Sequence, residues 1–529
     1  MNSDNFVFLQ SYTKNNRMRR PVIILLSLLL LSASMFAESG LPIIEVKADR
    51  TMIYPQRMEL TGEETLMDIL QMVPDLMIAG YEDVISNYNL RIDNCPLNGD
   101  TRLIISQMKA KDIAKIQVCD NTGVQKGTIG MARVLDINMK MPDALNGFVE
   151  GQGNFGKEVA GIGAVNALYG SKSTDLYANA SYRHQEGNKE YLTLHMTNRF
   201  DARNKLLTYF TQQYLDQPSG MSRKVMGRAR YFHTFNDLGT ELLLVGGYQY
   251  ASDWSSSSKL PLCIAELNTP LFTKQLSMTL GFEGDFQMTS QKNTDKSWDV
   301  FNYDIYLQFT YALPKWRFTV GNRVMFYERK AKEGAISQKR SDTRDNANAC
   351  VIYVPDHRNQ IQLGYYRKFY NPAMTEALFE ERTIHQMKLA YAYSRQKLTI
   401  QTEADYYMIE GAENLTELAA SAYWKTKGLS LVGGSNLYIA KSGTSASIRF
   451  APTAYLPHAW QIAMQVVYYT KNSPKREATG VPVYGCLSVN KQFGRHWNLG
   501  VDWHDMFDAF CSDATVNRHA ANVKLQYRF

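Results

Sequence analysis

The feature that most constrains this fold is a period of two that recurs from about residue 145 to the C-terminus. At the end of the chain Ala521, Val523, Leu525, Tyr527 and Phe529 are apolar, and Asn522, Lys524, Gln526 and Arg528 between them are polar. Successive side chains of an extended strand point to opposite faces, so this is a strand with one greasy face and one wet face. The alternation returns at Ile305, Leu307, Phe309 and Tyr311, at Phe318, Val320, Val324 and Phe326, and at Leu398, Ile400, Ala404 and Tyr406. It returns again at Trp460, Ile462, Met464, Val466 and Tyr468, and at Trp497, Leu499, Val501 and Trp503. Interleaved with these sets are Asp304, Gln308, Arg317, Arg323, Glu403, Asp405 and Asp502, which need water or a charged partner.

The connections choose between a sandwich and a barrel. Counted back from the C-terminus, short turns near 493–496, 457–458, 425–428, 394–397, 355–359 and 314–315 alternate with longer loops near 507–519, 471–482, 370–385, 328–346 and 289–298. Short turns on one rim and long loops on the other are the arrangement of a membrane barrel, whose outer face meets lipid. Continued to residue 145 the count gives about 22 antiparallel strands, with one weak member at 260–267. Even parity returns both ends of the barrel to the same rim. No run past residue 40 approaches the roughly 18 apolar residues of a membrane helix, while 32 Tyr, 23 Phe and 7 Trp suit strands ringed by interfacial aromatics. A barrel this wide is not filled by its own side chains, so it is a pore or it is plugged.

The front of the chain supplies an address and a plug. Lys14, Arg17, Arg19 and Arg20 precede an apolar run over 22–31 and small residues ending at Ala37, the pattern of an export signal over 1–37. Met18 is a second candidate start, and no Cys follows the run to carry a lipid. Residues 38–59 read as extended, with a β-branched cluster after Pro42 and no local partner. Either another protein adds to this strand or it is a passive lead-in. Residues 60–143 form a small α+β unit, with a helix from Leu66 stopped by Pro74 and a second one over 101–108. Its strands run over 88–93, 113–118 and 134–139. Residues 144–529 are the barrel, so the fold class is an all-β membrane barrel with a small α+β plug in its lumen.

These pieces together resemble the TonB-dependent receptors of Gram-negative outer membranes, in a compact form. The stretch from Thr65 to Asp75 is similar to the family's opening plug helix, and Leu90-Arg91-Ile92-Asp93-Asn94-Cys95-Pro96-Leu97 to its "IDGxPL" strand and turn. The stretch from Ala110 to Val118 resembles "DIEKIEV", Asn371-Pro372-Ala373-Met374-Thr375-Glu376 resembles the "NPxLxPE" loop, and Asp505-Met506-Phe507-Asp508 resembles "NLFD". Ile43, Ile44, Glu45, Val46, Lys47 and Ala48 are similar to the TonB box, the strand with which TonB pairs from the periplasm. Lys47, Asp49 and Asn94 depart from the family's usual residues, as does the stretch from Gly130 to Leu135.

The resemblance implies a receptor that imports a scarce ligand (siderophore, cofactor, oligosaccharide or peptide) by energised plug rearrangement. Its implied plug residues are Arg91, Asp93, Pro96 and Arg133. Tyr365, Tyr366, Arg367 and Tyr370 lead into the Asn371-Pro372 loop and, with Asn371, are candidates for ligand-binding loops at a mouth or, more simply, for the interfacial girdle, and Tyr527 and Phe529 are candidates for the C-terminal barrel signal. Implied partners are TonB, the barrel-assembly machinery, outer-membrane lipid and lipopolysaccharide, and a small ligand.

Other chemistry finds little support. The chain has no HExxH, GxSxG or P-loop, its nine His are scattered, and its six Cys lack metal-ligand spacing, so no metal or cofactor is expected. Cys95 and Cys119 are either a disulfide or two thiols. The formal charge of +7 falls to +4 without residues 1–37, which carry four basic residues and one acidic, too little and too dispersed for nucleic acid. The basic loop over 328–346 reads either as a lipopolysaccharide contact or as a solvated surface. A plugged barrel serving as an adhesin or assembly protein, and an outer-membrane hydrolase, stand as the other readings.

Overall fold

The computed structural model describes residues 44–46, 51–58, 64–72, 88–92, 95–96, 105, 108–119, 133–140 and most of 145–528. Within that last span 156–158, 185–186, 218–219, 238, 293, 335, 357, 371–381, 396, 474–475, 477–481, 495 and 505–519 are not described. Of the expectations above, the export signal, the Asn371 loop, the Asp505 to Asp508 motif and Phe529 lie outside the described residues. Pro42–Phe529 forms one compact unit.

The front unit is a six-stranded mixed sheet, β1 (Ile44–Val46), β2 (Thr51–Ile53), β3 (Tyr88–Ile92), β4 (Cys95–Pro96), β5 (Ile113–Cys119) and β6 (Arg133–Met139). Its order is β1-β2-β5-β6-β3-β4, with β3 parallel to β6 and the other pairs antiparallel. The one α-helix among the described residues, α1 (Leu66–Met72), buries Leu66, Ile69 and Leu70 on the face its spacing assigns. They pack with Ile53, Ile113, Ile116, Val118, Leu135 and Ile137 in a dry core. That core continues into Leu168, Tyr177, Tyr191, Tyr423, Val432 and Ala451 of the surrounding wall. The small unit therefore completes its core against the inside of the barrel.

The wall is a closed, antiparallel, 22-stranded barrel from β7 (Asn146–Phe155) to β28 (Ala520–Arg528), each strand beside its neighbour in sequence. Closure comes from β28 pairing with β7, Ala521 opposite Phe155 and Arg528 opposite Phe148. The alternation lands as the residue pattern demands. Val523, Leu525 and Tyr527 are exposed on the outside, whereas Asn522, Lys524 and Gln526 are buried inside.

On the rim where the chain enters and leaves the barrel, Trp316, Trp460, Phe493, Trp497 and Tyr527 stand exposed. On the far side Tyr182, Tyr303, Tyr406 and Tyr468 do. On β25 (Trp460–Tyr469) the two levels are eight residues apart, Trp460 to Tyr468. That is about 26 Å along a strand and about 20 Å once it is tilted, a little under the roughly 25 Å of an apolar band between aromatic girdles.

Three expectations need correcting. The span 328–346 is not a loop: it is the top of a hairpin of β17 (Trp316–Glu333) and β18 (Ile336–Asp356), paired through Glu333 and Ile336 and reversed at Gly334 with φ 58. Likewise 289–298 is strand at both ends, in β15 (Thr273–Gln291) and β16 (Lys296–Ala312), while the weak strand expected at 260–267 is present as the middle of β14 (Ser256–Leu271). Above the lipid both faces of a strand meet water, so its outer residues need not be apolar, and a charged strand reads like a loop. Finally, β1 has a local partner: Ile44, Glu45 and Val46 lie opposite Ile53, Met52 and Thr51.

Candidate functional site: the plugged lumen

The inner face of the wall is largely polar, and several of its charges are paired, as an isolated charge there would be costly. Arg323 of β17 donates to Asp304 of β16 at 2.8 Å and reaches Glu283 of β15 at 2.5 Å. The Tyr306 hydroxyl donates to Glu266 of β14 at 2.7 Å, and Asn302 to Asp285 at 3.0 Å. The Tyr306 ring lies on Gly281, where a Cβ would come within 2.1 Å of it. That cross-strand glycine is what lets the ring lie flat along the wall. A second network joins β20 (Arg382–Arg395) to β21 (Leu398–Ile409), with Lys388 to Glu403 at 2.6 Å and Gln386 to Asp405 at 2.6 Å.

One buried cluster fastens the plug to the wall. Lys109 of the plug is fully buried and lies 3.9 Å from Glu150 of β7. Lys524 of β28 lies 3.8 Å from the same carboxylate oxygen, and Gln526 donates to it at 3.3 Å. Glu150 thus sits on the seam where the first and last strands close the barrel, held from the wall by Lys524 and from the plug by Lys109. Lys109 is itself positioned by a bridge to Thr65 at the start of α1. Nothing in the sequence marks this trio, because its members lie at opposite ends of the chain.

The sequence-assigned site residues fall in several places. Ile44, Glu45 and Val46 form β1, the last strand in the order of the plug sheet and close to β20 (Arg382–Arg395) of the wall, while Ile43, Lys47 and Ala48 lie outside the described residues. Arg91 in β3 stands opposite Pro96 in β4 on one side and Asp136 in β6 on the other. Arg133 opens β6 opposite Tyr88, and Asp93 is outside the described residues.

The proposed ligand cluster on β19 (Asn359–Tyr370) divides. Tyr366 faces the lumen and packs with Cys350 and Ile352, its ring against Gly364. Tyr365 and Arg367 share the outer face with exposed Leu363, so they are not lumen residues. The Tyr365 hydroxyl meets His385 Nδ1 at 2.8 Å, and one Arg367 Nη grips both oxygens of Asp345 at 2.6 and 2.7 Å. The reason is parity: a period of two defines two faces, and adjacent residues cannot share one. Tyr370 ends the strand, and its side chain, like all of Asn371, lies outside the described residues. Tyr527 stands on the outer face at the rim, with its ring 4.9 Å from Trp497 and 5.8 Å from His496. Among the described residues no group of three or more His, Cys, Asp or Glu side chains could hold a metal ion.

No protein-family model matches the chain, and no curated protein matches it in sequence. Solved structures do match in fold. The siderophore receptor PirA from Pseudomonas aeruginosa is 12% identical with a TM-score of 0.65, over 92% of this chain and 100% of that one. The ferric-catecholate import receptor Fiu from E. coli K12 is 11% identical at 0.68, over 92% and 97%. The alcaligin outer-membrane receptor FauA from Bordetella pertussis is 11% identical at 0.62, over 92% and 95%. The chain shares with these solved receptors its fold, a 22-stranded barrel closed around a small mixed sheet.

Proposed function

We propose that this chain is a TonB-dependent receptor of a Gram-negative outer membrane, importing a scarce small ligand by energised rearrangement of its plug. The observation that carries the reading is the position of β1. It is the edge strand of the sheet that stops the bore, paired with β2 at three described positions and lying close to β20 of the wall. An edge strand accepts a further strand through its outer backbone groups, and a pull on it is delivered straight into the plug sheet. Residues 1–37 serve as the export signal, 38–59 as the TonB-contacting segment, 60–143 as the plug and 144–529 as the barrel. The rim where the barrel starts and ends faces the periplasm, and Tyr527 and Phe529 are what the barrel-assembly machinery reads.

Among the solved neighbours PirA is named a siderophore receptor and Fiu a ferric-catecholate import receptor. A metal chelate is accordingly the first ligand to try here, ahead of corrinoids, oligosaccharides and peptides. A receptor, rather than an enzyme, is the reading these neighbours favour.

The test is Glu45→Pro, which removes a backbone donor from the centre of β1. Cells carrying it should lose growth on one scarce nutrient supplied as sole source, with the same amount of folded barrel in the membrane. Undiminished growth on every chelate, corrinoid, oligosaccharide and peptide source would sink the proposal.

A further inference from the structure

The lipid-facing surface of β16 to β19 carries one residue that does not suit lipid. On β17 the outer face reads Trp316, Phe318, Val320, Asn322, Val324 and Phe326, and Asn322 is exposed as Val320 is. Two aromatic stacks fix its depth. The Trp316 ring lies 4.3 Å from that of Tyr353 at the rim where the chain enters the barrel, and the Tyr303 ring 4.9 Å from that of Phe326 at the far level. Asn322 is six residues past Trp316 and four short of Phe326, inside the apolar band between those levels. Its side chain makes no hydrogen bond among the described residues, and hydrocarbon offers it none.

The surface around Asn322 is shaped for a close contact. Ala347 lies opposite it and Ala349 opposite Val320, so the β18 side is low, whereas Ile305 of β16 and Leu363 of β19 stand out to either side. Between bodies that share the lipid, burying apolar surface gains little, and association is driven by close packing over small residues and by hydrogen bonds between polar groups. A carboxamide carries both donors and an acceptor, so it is its own complement. Copies of a membrane protein insert the same way up, and a two-fold axis relating two of them runs along the membrane normal. A residue on that axis meets its own counterpart at its own depth. The charges at the upper edge of the face, Asp345 and Arg367, already hold each other, so no unbalanced charge selects a different partner.

We propose that the outer face of β16 to β19 is an interface for a second copy of this chain, forming a two-fold dimer in the membrane with the two Asn322 carboxamides exchanging hydrogen bonds at its centre. The low ground of Ala347 and Ala349 lets the two walls approach closely enough for that exchange. In the monomer the same carboxamide faces hydrocarbon, so an apolar side chain there leaves the barrel as stable and removes the reason to pair.

Crosslinking in intact membranes tests this. Asn322→Cys, made in a Cys263→Ser background because Cys263 is also exposed, should give a band of twice the monomer mass with a short bismaleimide, and the background alone should not. Sedimentation of the full chain in mild, density-matched detergent gives the energetics. The parent should be a dimer, and Asn322→Leu should raise its dissociation constant at least about tenfold, with heat-modifiable gel mobility showing an intact barrel. Ser435→Leu, on the outer face of β23 (Leu429–Ala440) opposite exposed Ile448, should behave as the parent does. If detergent separates the copies, the crosslink in membranes decides. A missing band overturns the proposal, as does a dimer that Asn322→Leu leaves unchanged or an adduct with any protein other than this chain.

Discussion

Glu150 shows how much can hang on one side chain. It is buried on the seam strand and answers two lysines, one from the wall and one from the plug. Removing one partner of a buried ion pair costs more than removing the pair, because the other charge stays behind unmatched. Glu150→Gln leaves both lysines facing a neutral amide, whereas Lys109→Met leaves Glu150 with Lys524. Glu150→Gln should therefore destabilise the plugged protein by about 3 kcal/mol or more, and Lys109→Met by less, read from thermal unfolding in detergent. Equal losses would show that Lys524 does not share the carboxylate.

Glu328 supplies a test in pH. Its hydrogen bonds from Lys339 and then Lys330 hold its carboxyl below the ordinary glutamate range. A depressed carboxylate contributes its contact above the unfolded pKa and loses it as pH falls through the folded value. Observed by NMR, Glu328 should titrate below a free glutamate, and Lys339→Gln should move it up more than Lys330→Gln does. An ordinary pKa in the parent would contradict the paired geometry.

Each wall strand is an element with two solvents, and its outer face records where one gives way to the other. Val320 is 56% exposed within the apolar band, whereas Ser341 is on the same face above it, opposite Glu328. Val320→Arg should cost about 2–4 kcal/mol of folding free energy in bilayers and Ser341→Arg about 0–1. Similar costs at both positions would move the membrane boundary.

The same two-solvent logic explains what the sequence reveals and what it hides. Strands inside the lipid, such as the one holding Val523, Leu525 and Tyr527, are legible because one face must be apolar and the other is wet. The hairpin top from Glu328 to Asn346 is not, since nothing above the lipid enforces alternation. Tyr365, Tyr366 and Arg367 lead together into the Asn371-Pro372 loop, but only one parity of such a run can face the bore, so Tyr366 turns inward and Tyr365 and Arg367 take the outer face. The partner of β1 is hidden in the sequence because Thr51–Ile53 is a three-residue strand, too short for any period to show.

At the scale of the whole molecule, closure joins strands about 370 residues apart, since β7 pairs with β28. The plug core is incomplete without wall residues such as Tyr177, Tyr191 and Tyr423. The plug is small for a free-standing domain, and its core gains by being enclosed. Mild urea should therefore loosen the plug before the barrel, whose backbone pairing is closed on itself and has no edge.

That ordering makes conductance across a planar bilayer the most direct measurement. The intact protein should carry no steady current, and should open in large discrete steps in urea too dilute to abolish the heat-modifiable mobility of the barrel. A standing current before urea, or no steps after it with the barrel still folded, would contradict a bore stopped by the front of its own chain.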